Sequence, residues 1–142
     1  MASIKTVQQF FPIRWFSLIN GQTLNQLFNL MTGSCEDAIT ASAGGTKALA
    51  YQLFATINRI SVCATTNDSV MLPKQPFIGQ VVQVINDGAQ TAAIYGNGTD
   101  TIDGVVTATG VTMTAANRAF FTCTGFSAGA YAWRSQSGAK TT

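Results

Sequence analysis

A mainly β fold is what the sequence predicts, on three observations. Between residues 72 and 134, short runs rich in Val, Ile, Thr and Phe alternate with clusters of Gly, Asn and Asp, the pattern of short strands joined by tight turns. Those clusters supply the residues that tolerate positive φ at low cost, as reversals require. The turn signals recur regularly, which favours a sandwich or barrel over an open α/β sheet. The expectation is an antiparallel β-sandwich or jelly-roll-like barrel, with a short N-terminal helix and an extended arm.

Residues 1–19 form the expected arm. Phe10, Phe11, Pro12, Ile13, Trp15, Phe16, Leu18 and Ile19 have no clean helical or strand period, and Pro12 opposes a continuous helix or a central strand. The arm's aromatics must be buried, either on its own domain or on a neighbouring molecule. Residues 20–31 predict a short helix, because Leu24, Leu27, Phe28 and Met31 share one face. Asn20 or Thr23 could cap its start and Gly33 follows its end. Residues 32–47 read as a polar connection with Gly44-Gly45 as its most flexible point. The expected organisation is an arm-plus-helix over residues 1–42, a β domain over 43–135 and a mobile tail over 136–142.

Within the β domain, residues 48–54 suit helix by Ala and Leu content and strand by the alternation of Leu49, Tyr51 and Leu53. Residues 57–64 predict a strand with Ile60, Val62 and Ala64 on one face. Thr65-Thr66-Asn67-Asp68 reads as a turn, and 69–72 as a short strand ended by Pro73. Residues 81–85 predict a strand, Asn86-Asp87-Gly88 its hairpin turn, and 92–95 the returning strand. Gly96-Asn97-Gly98-Thr99-Asp100 is the next reversal, and strands over 102–107, 111–114, 118–124 and 131–134 complete the series. Phe120 falls on one face of its strand, Phe121 and Cys123 on the other. Val81, Val82, Val84 and Ile85 likewise fill both faces, so a covering layer or a subunit interface is expected.

A chain of 142 residues is most simply one domain with an appended arm. It is 46% hydrophobic and only 10% charged, well below the usual quarter of a soluble domain. Either the surface is largely Thr, Ser, Asn and Gln, or it is covered by partners or sister subunits; the second reading is preferred, because the apolar excess is spread along the chain. The net charge of +2 comes from scattered residues, so the basic stripe that marks a nucleic-acid footprint is missing. No run approaches the length needed to cross a bilayer, and the N-terminus does not read as a signal peptide. Cys35, Cys63 and Cys123 are odd in number and lack CxxC spacing, which argues against a disulfide framework or zinc and for folding in a reducing cytosol. Cys63 and Cys123 read as small core residues and Cys35 as exposed.

The sequence contains no histidine, which removes the commonest general base and metal ligand. The acids are Glu36, Asp37, Asp68, Asp87, Asp100 and Asp103. Asp68, Asp87, Asp100 and Asp103 sit at turn positions, where backbone hydrogen bonding explains them without catalysis. Two carboxylates within residues 97–104 could bind calcium, but the spacing is not that of an EF-hand loop. Gly96, Gly98 and Gly104 make no phosphate loop. Trp15 and Trp133 could form a carbohydrate platform but read better as core or interface anchors. No catalytic residue, no metal and no cofactor is expected, and the chain reads as a non-enzyme.

Several segments together carry a resemblance. They are AGGTKALAYQL at residues 43–53, INRISVCATTNDSVMLP at 57–73, GQVVQVINDGAQTAAIYGNGTDTIDGV at 79–105 and NRAFFTCTGFSAGAYAWRS at 117–135. In that order they resemble a β-rich module of structural proteins of tailed bacteriophages. The resemblance implies a capsid decoration (cement) protein or head-fibre module: a compact β fold on the outer surface of an assembled shell, stabilising it. Its implied partners are the major capsid protein and its own copies, as a dimer or trimer, with no nucleic acid and no membrane; its place is the virion's outer surface after folding in the host cytoplasm. On that reading Phe10, Phe11, Trp15 and Phe16 anchor the arm to capsid or sister subunit. The alternative is a receptor- or glycan-binding module of a head fibre or tail spike, using the loops at 86–88 and 97–104 with Trp133.

Overall fold

The computed structural model describes residues 33–137. The expected helix at 20–31, the arm with Phe10, Phe11, Trp15 and Phe16, and positions 138–142 lie outside the described residues. Ten strands follow in order: β1 (Cys35–Thr40), β2 (Tyr51–Gln52), β3 (Ile57–Val62), β4 (Asp68–Met71), β5 (Val81–Asn86), β6 (Ala92–Tyr95), β7 (Thr101–Ile102), β8 (Val111–Met113), β9 (Asn117–Ser127) and β10 (Ala130–Ser137). They form a larger sheet in the order β1-β3-β5-β9-β10-β7 and a smaller one in the order β2-β4-β6-β8.

The chain is mainly β, as predicted, but its sheets are mixed rather than antiparallel. From β1 to β6 successive strands alternate between the two sheets. Each strand therefore stacks on the strand two elements earlier, running the same way: β1, β3 and β5 pair in parallel, and so do β2, β4 and β6. The first half of the domain is a coil wound through both sheets. Only afterwards does the chain reverse, laying β8 on β6, β9 on β5 and β10 on β9, all antiparallel. β7 pairs in parallel with β10 at the far edge.

The error in the hairpin expectation lies at the corners. Asn86-Asp87-Gly88 connects β5 in one sheet to β6 in the other, so it is a corner between sheets. Asn86 is fully buried there. Its Nδ2 donates to the carbonyls of Gln90 (2.9 Å) and Met113 (3.1 Å), and its Oδ1 accepts the Gly88 N–H (3.1 Å). Asn58 serves the corner before β3 in the same way: its Nδ2 donates to the Ala55 carbonyl (2.8 Å) and its Oδ1 accepts the Ala55 N–H (3.3 Å). A buried corner must satisfy its backbone groups from side chains, and a short amide supplies both a donor and an acceptor. Successive coils also touch directly at these corners. A Cβ placed on Gly88 would lie 2.5 Å from both the Cβ and the N of Cys63.

Apolar side chains from both sheets meet in one core: Ile60, Val82, Val84, Phe121 and Trp133 from the larger sheet, Val70, Ile94 and Met113 from the smaller. β6 is buried at all four positions, between a parallel neighbour, β4, and an antiparallel one, β8. Cys63 and Cys123 are core residues and Cys35 is exposed, all three as free thiols. Other elements depart from expectation in detail. Residues 32–47 contain β1. The ambiguous 48–54 stretch is a 3-10 turn at Lys47–Leu49 followed by the two-residue β2. The strand expected over 102–107 stops at Ile102, because Asp103 and Gly104 both adopt positive φ. The last strand continues past Arg134 to Ser137, into the stretch expected to be mobile.

Candidate interaction surface

The residues read from sequence as chemically interesting are mostly spent on the fold. Trp133 is fully buried, so it cannot stack on a sugar, and Asn86 is likewise inside. In the loop at 97–104, Asp100 accepts the Tyr131 N–H (2.8 Å), while Asp103 accepts the N–H (3.0 Å) and hydroxyl (2.5 Å) of Ser135. Both carboxylates thus turn to the β10 backbone instead of converging on a cation. Among the described residues no group of three or more His, Cys, Asp or Glu is placed to hold a metal.

The other four acids are also engaged. Glu36 accepts the Tyr51 hydroxyl at 2.5 Å, which raises the pKa of that phenol. Asp37 and Asp87 flank Arg59 at 2.8 and 2.6 Å. The Arg59 guanidinium holds the Asp37 carboxyl below its ordinary value, and the two carboxylates raise that of Arg59. Asp68 closes its own turn, accepting the Thr65 hydroxyl and the N–H groups of Ala64 and Thr65 (2.9 Å each), bonds that lower its pKa. Asp100 is the exception in direction. Burial pushes its carboxyl up, against the opposing pull of the Tyr131 N–H, the Trp133 indole and Lys47. The indole Nε1 is buried and makes no well-formed hydrogen bond. Lys47 donates to the Gly98 carbonyl at 2.5 Å, and burial lowers its pKa.

The surface left unexplained is the outer face of the larger sheet. Strand alternation sends Val82 and Val84 of β5 and Ala119, Phe121 and Cys123 of β9 into the core, so Val81, Gln83 and Ile85, and Arg118, Phe120 and Thr122, face outward. Register then fixes their neighbours. Phe120 lies between Gln83 and Gln136, Thr122 between Val81 and Arg134, and Arg118 beside Ile85. Phe120 and Val81 remain exposed, at 39% and 42%, in the middle of a six-stranded sheet and not at its rim. Both ion pairs among the described residues belong to Arg59, so neither Arg118 nor Arg134 has a carboxylate partner there.

Phe120 on one face and Phe121 on the other was readable from the alternation alone. Arg118 and Arg134 were missed because scattered basic residues form no stripe in sequence; only the pairing of β10 with β9 brings them to one face. Phe10, Phe11, Trp15 and Phe16 lie outside the described residues. No known protein family matches the chain, and no curated protein matches its sequence.

Proposed function

We propose that this chain is a non-enzymatic structural virion protein: a two-sheet β-sandwich that binds the outer surface of a bacteriophage capsid and stabilises the shell. The observation that carries this reading is the exposed Phe120 at the centre of the larger sheet. A large aromatic at mid-sheet with polar and apolar neighbours is the composition of an interface centre, where aromatic residues and arginine concentrate. The phage-module resemblance of residues 43–135 supplies the partner, the major capsid protein. Binding across shell subunits stabilises by mass action, since the protein engages the assembled form and not its separated parts. The arm residues Phe10, Phe11, Trp15 and Phe16 provide a second contact, to shell or sister subunit, and assembly as a dimer or trimer would multiply both contacts.

Co-sedimentation with empty shells lacking this protein tests the reading, paired with light scattering of the free protein. Saturable binding at a fixed ratio to the shell protein is expected, together with slower shell disruption on heating. A protein that stays in the supernatant at all concentrations overturns the assignment.

A further inference from the structure

We infer that the outer face of the larger sheet packs on the same face of a second copy of this chain, about a two-fold axis beside Phe120, with Arg134 of each copy seated on the other's Asp37–Arg59–Asp87 cluster. It rests on the capsid reading only for the use of a dimer and is tested on the free protein.

The face carries both signs of charge, and they are segregated. Arg59 lies between the buried Asn58 and Ile60, so its side chain points outward. It holds Asp37 and Asp87 on that same side of the sheet, and the three groups sum to one negative charge. The two carboxylate side chains are 66% and 43% exposed, and a carboxylate has lone pairs enough to take a second guanidinium while keeping the first. Toward the other edge stand Arg118 and Arg134, exposed and without an ion pair among the described residues. A face negative at one corner and positive at the opposite one, with an aromatic between them, is complementary to itself. An isologous two-fold contact requires that property.

The strand lattice then fixes the axis. Arg59, Ile85 and Arg118 share one row across β3, β5 and β9, while Val81, Thr122 and Arg134 share another across β5, β9 and β10. Between them runs the row of Ile57, Gln83, Phe120 and Gln136. Arg59 and Arg134 are therefore three strand spacings apart across the sheet and four residues apart along it, about 14 Å each way. Their midpoint falls in the middle row, between Gln83 and Phe120. A two-fold through that point, lying in the plane of contact at right angles to the line from Arg59 to Arg134, places each Arg134 over the other copy's Arg59 cluster and sets Phe120 beside its mate. Because the two separations are equal, the axis runs at about 45° to the strands. Strands of the two copies then cross at about 90°, one of the two arrangements in which sheets pack face to face. The face from β1 to β10 is about 20 Å in each direction. That is on the order of 400 Å² in plan, and side-chain relief brings the accessible area nearer the roughly 800 Å² per partner of a standard interface. Arg118 makes the axis checkable. It falls close to the axis, where it meets its own mate, and like charges across an interface are costly. Arg134 is a gain in this packing and Arg118 a cost.

The test is sedimentation velocity on the full-length protein, free of shells, over a range of concentrations, with circular dichroism checking that each variant folds. Wild type should show a concentration-dependent dimer. Arg134→Glu and Asp37→Lys, each placing like charges against one another twice in the dimer, should each raise its dissociation constant by about tenfold or more. Phe120→Ser should do the same, whereas Arg118→Ser should lower it. An equimolar mixture of Arg134→Glu and Asp37→Lys should dimerise more tightly than either variant alone, because the mixed dimer has one wild-type contact and one between the new glutamate and the new lysine. A wild type that stays monomeric throughout overturns the inference. So does a dimer indifferent to Phe120→Ser and Arg134→Glu, a mixture no tighter than its parents, or weakening by Arg118→Ser. Co-sedimentation with shells is read separately: shell binding by a monomer keeps the capsid reading without this dimer, and a dimer of this pattern that ignores shells keeps the interface without the capsid reading.

Discussion

Single residues decide how tightly the coil can wind. Gly88 has no room for a side chain, since its Cβ would overlap the backbone and Cβ of Cys63 on the preceding coil. Relief requires the two corners to separate, because backbone cannot rotate away as a side-chain tip can. Gly88→Ala should destabilise the domain by about 1–3 kcal/mol, read as a lower melting temperature in thermal unfolding; unchanged melting would mean the coils are not in contact there. Asp100 supplies a prediction with a sign in pH. Its folded carboxyl titrates above the unfolded value, so the folded state binds the proton more tightly and stability falls as pH rises between the two. Asp100→Asn keeps an acceptor for the Tyr131 N–H without the buried charge. The variant should be more stable than wild type at neutral pH, with the difference shrinking as pH falls below the ordinary carboxylate range. Denaturant unfolding at pH 7 and pH 3 measures it, and a gap that widens in acid would contradict the assigned direction.

At the scale of elements, strand positions were legible and their partners were not. β5, β6, β8 and the start of β9 fall where alternating apolar residues and turn clusters place them, because burial on a pleated surface leaves its own period. Pairing leaves no such mark. An Asn-Asp-Gly cluster looks the same whether the chain folds back in one sheet or turns the corner into another. What tells them apart is the Asn86 side chain, whose bond to Gln90 holds the connection and whose bond to Met113 of β8 reaches the other sheet. Asn86→Ala strips the buried Met113 carbonyl of its donor and the buried Gly88 N–H of its acceptor, and each unsatisfied group costs about 1–3 kcal/mol. The variant should lose on the order of 3 kcal/mol in denaturant unfolding, far more than an alanine at the exposed Asp87. A loss similar to that of Asp87→Ala would mean that Asn86 is dispensable to the corner. β1 shows a different economy. Among the described residues it is the edge of the larger sheet, and Ala38 at φ 64° with a register shift between Glu36 and Ile39 breaks its outer line of backbone groups. Interrupted edges of this kind discourage further strand addition.

For the whole molecule, the low charge content already pointed to a covered surface, and part of the candidate face could be read from Phe120 and Val81 alone. The rest depended on long-range register, which brings Arg134 to Thr122 and Gln136 to Phe120. Two contacts on one chain also change what a deletion should do. The described core runs from Ile39 to Trp133, and removing residues 1–19 keeps all of it, so the truncated chain should still unfold cooperatively as a β domain. If the arm's Phe10, Phe11, Trp15 and Phe16 hold the shell while the Phe120 face joins two copies, the two arms of a dimer raise each other's effective concentration, commonly by factors of roughly 10²–10⁴ in overall affinity. Loss of the arm should then abolish shell binding at concentrations where the full chain saturates, while the truncated chain keeps its dimer and its sensitivity to Arg134→Glu. Arg134→Glu in the full chain should weaken shell binding without abolishing it, because single arms remain, and binding should return at higher protein concentration. Normal decoration by the truncated protein would remove the arm from the attachment and leave the β domain to act alone. Shell binding unchanged in an Arg134→Glu monomer would mean that the arms act singly and the dimer adds no avidity.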